Sequence, residues 1–186
     1  ASRALWVQFS LLISKNGFRK ISEIQAIYFE RTQAGESRRV VLQQTRGLSA
    51  HTRIPQPKGN DGIRIDQYEL TKGRTQGCIE LRGQKIQWDF YLHETLPLKF
   101  KHRLGPFNRS KILEHSVFTA LDGFLFEGTL EVNGREMQWR GAPGMLGHIY
   151  GHRYSHSWVW AHCNSFTDGD GRSIDVVFDG LSTRAW

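Results

Sequence analysis

The sequence predicts an all-β protein of antiparallel strands, rolled into a barrel or half-barrel and forming one domain over residues 1–186. Three observations predict it. Apolar and polar residues alternate with a period of two along much of the chain, the spacing of strands buried on one side. Asn-Gly and other glycine-bearing pairs punctuate those runs where a two-residue hairpin needs positive φ. No segment has an amphipathic helical pattern of normal length, and 109–115 would hold one short turn at most. A chain of 186 residues, 39% hydrophobic and 23% charged, is long enough for a substantial core and ordinary for a soluble globular domain.

The elements follow in order. Leu5, Val7, Phe9, Leu11 and Ile13 alternate with Trp6, Gln8 and Ser10, and Asn16-Gly17 turns the chain back. From Ile21 to Arg31, Ile27 and Phe29 alternate with Ala26, Tyr28 and Glu30. Further strands are predicted over 39–45, 63–70, 77–81 and 85–93, with Gly83-Gln84 as the turn before the last. In that strand Ile86, Trp88, Phe90 and Leu92 share one face, and Gln87, Asp89, Tyr91 and His93 the other. Asn133-Gly134 is the strongest hairpin signal. A two-residue loop there pairs Val132 with Arg135, Leu130 with Met137, Gly128 with Trp139 and Phe126 with Gly141. The indole of Trp139 is expected to cover the bare backbone of Gly128. Glu127, Thr129, Glu131, Glu136, Gln138 and Arg140 make the opposite, wet face. Two irregular stretches, 46–62 with Pro55 and Pro57 and 94–116 with Pro97 and Pro106, are long enough to cap one end of a barrel.

Composition narrows the function classes. No apolar run approaches the ~18 residues of a membrane-spanning helix. Cys78 and Cys163 allow one disulfide at most and are expected to be reduced, buried thiols; neither belongs to a CxxC pair. The net charge of +7 and pI near 9.7 raise the question of an anionic partner. Much of the excess crowds 99–111, as Lys99, Lys101, Arg103, Arg109 and Lys111 with His102. A solvated loop is the expectation there; an anion or nucleic-acid binder is the alternative, without any accompanying nucleic-acid motif. Asp168-Gly169-Asp170-Gly171 lacks the ligand ladder of a calcium loop and predicts a hairpin turn between Phe166 and Ile174. No phosphate-cradling glycine loop and no GxSxG elbow occur. The chain opens on Ala1-Ser2-Arg3 and is read as a processed or excised piece.

Residues 144–166 differ from the rest, with four of the eight histidines and two of the six tryptophans. As a strand from Ser157 onward, Trp158, Trp160, His162, Asn164 and Phe166 point one way, and Val159, Ala161, Cys163 and Ser165 the other. Three readings stand beside each other. The tryptophans are packed core, with His162 and Asn164 satisfied by backbone partners. Or His148, His152 and His156, four residues apart, hold a metal; that spacing converges only on a helix, which Gly147 and Gly151 oppose, so no metal is expected. Or the aromatic, polar-dotted face lines a small-molecule pocket, where His148 or His162 moves a proton near neutral pH and Asn164 orients the ligand.

The pattern Gly147-His148-x-Tyr150-Gly151 followed by Trp158-x-Trp160-x-x-x-Asn164-x-Phe166 resembles the carotenoid hydratase (hydroxyneurosporene synthase), AttH-like and tocopherol cyclase-like superfamily. Ala4-Leu5-Trp6-Val7, Tyr28-Phe29-Glu30-Arg31 and Ile86-Gln87-Trp88-Asp89 extend the likeness over most of the chain. The resemblance implies an antiparallel lipocalin-like β-barrel, complete or partial, and the N-terminal one of a two-barrel protein. It implies a greasy cavity for a prenyl, polyene or terpenoid compound. There a cofactor-independent hydratase, cyclase or isomerase would use acid–base chemistry, or a non-catalytic carrier would only bind. By position His148 becomes the proton donor, Asn164 the polar anchor, and Trp88, Trp158 and Trp160 the aromatic walls, with Phe166 beside them. Tyr150 stands where the family pattern usually has Trp. The chain stops soon after Phe178, so a second barrel domain or a second copy would complete the site.

Overall fold

The structure is a computed structural model describing residues 2–14, 16–18, 20–47, 62–71, 73–101, 117–150, 157–174 and 176–184. Among the described residues run thirteen strands: β1 (Ser2–Ile13), β2 (Lys20–Arg31), β3 (Ser37–Gly47), β4 (Ile63–Ile65), β5 (Tyr68–Leu70), β6 (Arg74–Leu81), β7 (Gln84–Lys101), β8 (Val117–Val132), β9 (Arg135–Tyr150), β10 (Ser157–Cys163), β11 (Phe166–Thr167), β12 (Ser173–Ile174) and β13 (Phe178–Arg184). No helix occurs among the described residues. The all-β, antiparallel expectation holds. No closed barrel is detected among the described residues, whose strands form separate sheets, β1-β2-β3, β4-β5-β6-β7-β8-β9, β10-β13 and β11-β12. Contacts gather in two compact units, Ala1–Leu92 with Glu127–Arg140, and His93–Phe126 with Gly141–Trp186.

The first unit is built on hairpins. The β1–β2 ladder runs from Ser2↔Arg31 to Ile13↔Lys20, and β2–β3 from Arg31↔Ser37 to Ile21↔Gly47. Gly17 (φ 72) donates to the Ser14 carbonyl at 2.8 Å, and Asn16 Oδ1 accepts from the Phe18 amide, which makes the Asn16-Gly17 turn. Along β2 the buried residues are Ser22, Ile24, Ala26, Tyr28 and Glu30, so the inward face carries a carboxylate while Phe29 is exposed. The expected turn at Gly83-Gln84 sits one residue earlier. Arg82 (φ 52) and Gly83 (φ 74) make it, and Leu81 pairs with Gln84. The expected strand 63–70 is instead two short strands, because Asp66 takes φ 52 and folds β4 back on β5. The Asn133-Gly134 hairpin stands as expected: both residues have positive φ, and β8 and β9 flank them directly. Leu130, Val132 and Met137 are buried on its inner face.

Aromatic rings fill one glycine position in this unit, and main chain closes another. Gly77 pairs with Trp88, and a Cβ on Gly77 would meet Trp88 Cη2 at 2.6 Å and Tyr68 Cδ1 at 2.7 Å. At Gly128 the obstacle is main chain. A Cβ there would fall inside 3.0 Å of the Asp89 carbonyl oxygen, in a backbone at φ 150. Phe90 of β7 and Trp139 of β9 meet at 5.4 Å between centroids, on either side of β8. The core is completed by Ile24, Leu42, Ile65, Ile79 and Ile86, each side chain contributing about 1.5–3 kcal/mol through removal from water.

The strands extend into both stretches expected to be irregular. β3 reaches Gly47, and residues 48–61 lie outside the description. β7 continues through 94–101 despite Pro97, and 102–116 lie outside it. The β6–β7 ladder has ended at Tyr91, so Pro97 interrupts no bond to β6. In the second unit Pro143 likewise sits on β9, the edge strand of its sheet. β10 pairs with β13 from Ser157↔Arg184 to Cys163↔Phe178. The Asp168–Gly171 turn joins β11 to β12 in the expected register, Phe166↔Ile174. Asp168 Oδ1 accepts from the amides of Asp170 (3.0 Å) and Arg172 (2.8 Å), so backbone donors occupy that oxygen.

Candidate functional site

The face predicted on residues 157–166 forms in part. In β10 successive side chains alternate sides, so Trp160 and His162 share a face. Their rings lie 5.8 Å apart and 26° from parallel, both residues half-buried. Val159, on the opposite face, is 69% exposed. The strand ends at Cys163, whose thiol lies 3.7 Å from the Ser165 carbonyl. Asn164 and Ser165 have no strand pairing, and Phe166 begins β11. Alternation therefore does not carry from His162 to Asn164 and Phe166, as one continuous strand would require; the chain leaves the β10–β13 ladder between them. Asn164 and Phe166 are half-buried.

His148 and Tyr150 close β9, and Trp158 lies in β10 opposite Thr183; the description of these three stops at the backbone. His152 and His156 lie outside the described residues, as does most of the basic 99–111 segment. Trp88 belongs to the first unit and is packed core. It is 1% exposed, its indole Nε1 donates to Thr75 Oγ1 at 3.1 Å, and its ring lies against Gly77 and near Tyr68. An indole so enclosed offers no surface to a ligand, so the wall role implied for Trp88 finds no support. Cys78 and Cys163 are free thiols, and burial raises the pKa of Cys78. Among the described residues no three His, Cys, Asp or Glu side chains gather as a metal site would require.

No family model, no curated protein and no solved structure matches the chain. Functional inference therefore rests on the chain's own geometry and on its short motifs.

That geometry contains a second cluster that reading along the sequence does not reveal. Glu30, 6% exposed, takes Arg3 Nε on Oε1 at 3.0 Å and Arg135 Nη1 on Oε1 and Oε2 at 3.1 and 3.2 Å. The ladder places Arg3 and Arg38 on either side of Glu30, and all three point to one face. The hydrogen bond from Arg3 is the main reason the Glu30 carboxyl is held below the usual range; burial opposes it, and Arg135 adds to it. Glu30 is thus a fixed anion and a poor proton donor. Tyr28, on the same face, has its hydroxyl 3.6 Å from Met137 Sδ, and burial raises its pKa. The partners of Glu30 lie 27 and 105 residues away, so no local motif announces them. The one signal in the sequence is an acidic residue in phase with Ile24, Ala26 and Tyr28, on what became the buried face of β2.

Proposed function

We propose that this chain is a small-molecule-binding β module of the lipocalin-like kind, and that its ligand is a hydrophobic prenyl, polyene or terpenoid compound held against β10. The observation that carries the reading is the stacked, half-buried pair of Trp160 and His162 on one face of that strand. A flat apolar ring beside an imidazole offers a polyene a large contact surface and one side chain with the chemistry to donate or accept a proton. The motif running from Gly147 to Phe166, with its likeness to the carotenoid hydratase, AttH-like and tocopherol cyclase-like superfamily, supports the same substrate class. Binding is the first claim. Hydration, cyclisation or isomerisation would add proton transfer by His162 or His148, with Asn164 as an anchor and no cofactor.

The test is titration of the full chain with a C20 prenyl alcohol, followed by tryptophan fluorescence, beside Trp160→Ala and His162→Ala. Saturable binding weakened at least tenfold by Trp160→Ala supports the reading; equal affinity in all three proteins overturns it. Recovery of the bound compound separates the two grades of function. An unaltered ligand identifies a carrier, and turnover lost in His162→Ala or His148→Ala identifies a catalyst.

A further inference from the structure

We propose that the first unit holds a second, separate site: a pocket between the ends of β2 and β3 and the β8–β9 turn that binds a small carboxylate with a short apolar tail. The pocket there has a volume of about 180 Å³. Its apolar lining comes from Tyr28, Val40, Val132 and Met137, and Glu30, Arg38 and Arg135 give it charge. A water in the liquid occupies roughly 30 Å³, so the space equals about six waters and suits a guest of about six to eight non-hydrogen atoms. That is below the ~300 Å³ at which drug-sized ligands begin, and far too small for a prenyl or polyene compound.

The charges select the sign of the guest. Glu30 is engaged on both carboxylate oxygens by Arg135 and on one by Arg3, so its charge is already matched inside the fold. Arg38 adds a third guanidinium on the same face. Its ion pair is to Glu36, at 3.6 Å between side chains 65% and 67% exposed. Such a loose surface pair contributes little and exchanges readily for a better-placed anion. The planar fork of Arg38 matches a carboxylate in two-pronged fashion, and Arg135 provides a second positive edge. The apolar lining then favours an acid with a hydrocarbon tail over an inorganic anion, because the tail gains about 25 cal/mol for each Å² of apolar surface removed from water. A cation of the same size would meet an excess of guanidinium charge.

Calorimetric titration of the full chain with hexanoate tests the site, with inorganic phosphate, acetate and hexylamine as comparison ligands and Arg38→Gln and Val40→Phe as variants. Hexanoate should bind saturably, with phosphate and acetate at least tenfold weaker and hexylamine showing no binding. Arg38→Gln removes a charge from an exposed position, and Val40→Phe fills the pocket with the arginines kept; each should weaken hexanoate at least tenfold. The absence of saturable hexanoate binding, hexanoate affinity unmoved by Arg38→Gln, or acetate or phosphate matching hexanoate would each overturn the proposal. The hexanoate–acetate comparison in the unaltered protein decides the role of the tail even if Val40→Phe fails to fold. Trp160→Ala should leave hexanoate binding unchanged, which keeps this site distinct from the one on β10.

Discussion

Replacing Gly128 by alanine is expected to be far more costly than the same change at Gly134, six residues along the same hairpin. Both glycines have positive φ, 150 and 81, so both variants force an L side chain into disfavoured backbone. For Gly134, with nothing within 4 Å of the added methyl, that strain is the whole effect, about 1–2 kcal/mol. At Gly128 the methyl would also lie 3.0 Å from the Asp89 carbonyl carbon and 3.0 Å from Phe90 Cα, and closer still to the Asp89 oxygen. These are main-chain atoms of the neighbouring strand, so no rotamer change relieves them and β7 and β8 must separate locally. Overpacking of this kind adds about 1–3 kcal/mol, bringing the total to roughly 3–5 kcal/mol. For a chain of this size that is on the order of 10 °C in melting temperature. The assay is urea unfolding followed by tryptophan fluorescence, with the slope compared between variants so that midpoints can be read as stability. Equal losses in the two variants would refute the steric reasoning, because space is the main thing that differs between the positions.

Glu30→Gln should lower stability at neutral pH and shallow the acid limb. A carboxyl held low in the folded state contributes stability that is present above its unfolded value, near ~4.3, and lost as pH falls through the folded one. The gap between the variant and the unaltered protein should therefore narrow between pH 6 and pH 3 in chemical denaturation; a constant gap would contradict the ion cluster. Asp168→Ala should cost about 1 kcal/mol by removing the oxygen that takes two turn amides. Asp168→Asn should retain most of that stability, and equal thermal midpoints for the two variants would rule out the capping role.

Much of this architecture is legible along the chain wherever a local conformational demand fixes it. Asn133-Gly134, Asn16-Gly17 and Asp168–Gly171 are read correctly because positive φ or a side-chain oxygen defines each turn within four residues. The misread turns have the same cause from the other side. Arg82 and Asp66 take positive φ where glycine or asparagine would have advertised it, so one turn shifts by a residue and one strand divides. Pro97 suggested a loop and instead lies in β7 beyond its ladder with β6. How strands gather into sheets is set by pairings far apart in sequence, and alternation alone does not distinguish a closed barrel from separate sheets. The candidate sites divide the same way. Trp160 and His162 are two residues apart and were legible as a pair, whereas Asn164 and Phe166 belong to the next segment. Glu30 with Arg3, Arg38 and Arg135 draws on four strands, β1, β2, β3 and β9, and only the inward phase of Glu30 was legible.

The juxtaposition of Gly77 and Trp88 binds the history of two codons together. Neither position can drift freely: growth at 77 demands shrinkage at 88, and a smaller residue at 88 leaves a void beside Tyr68 that only a larger neighbour refills. Variation in related chains should therefore exchange bulk between these two places while conserving their combined volume, and a redesign of this core should treat them as one unit of choice.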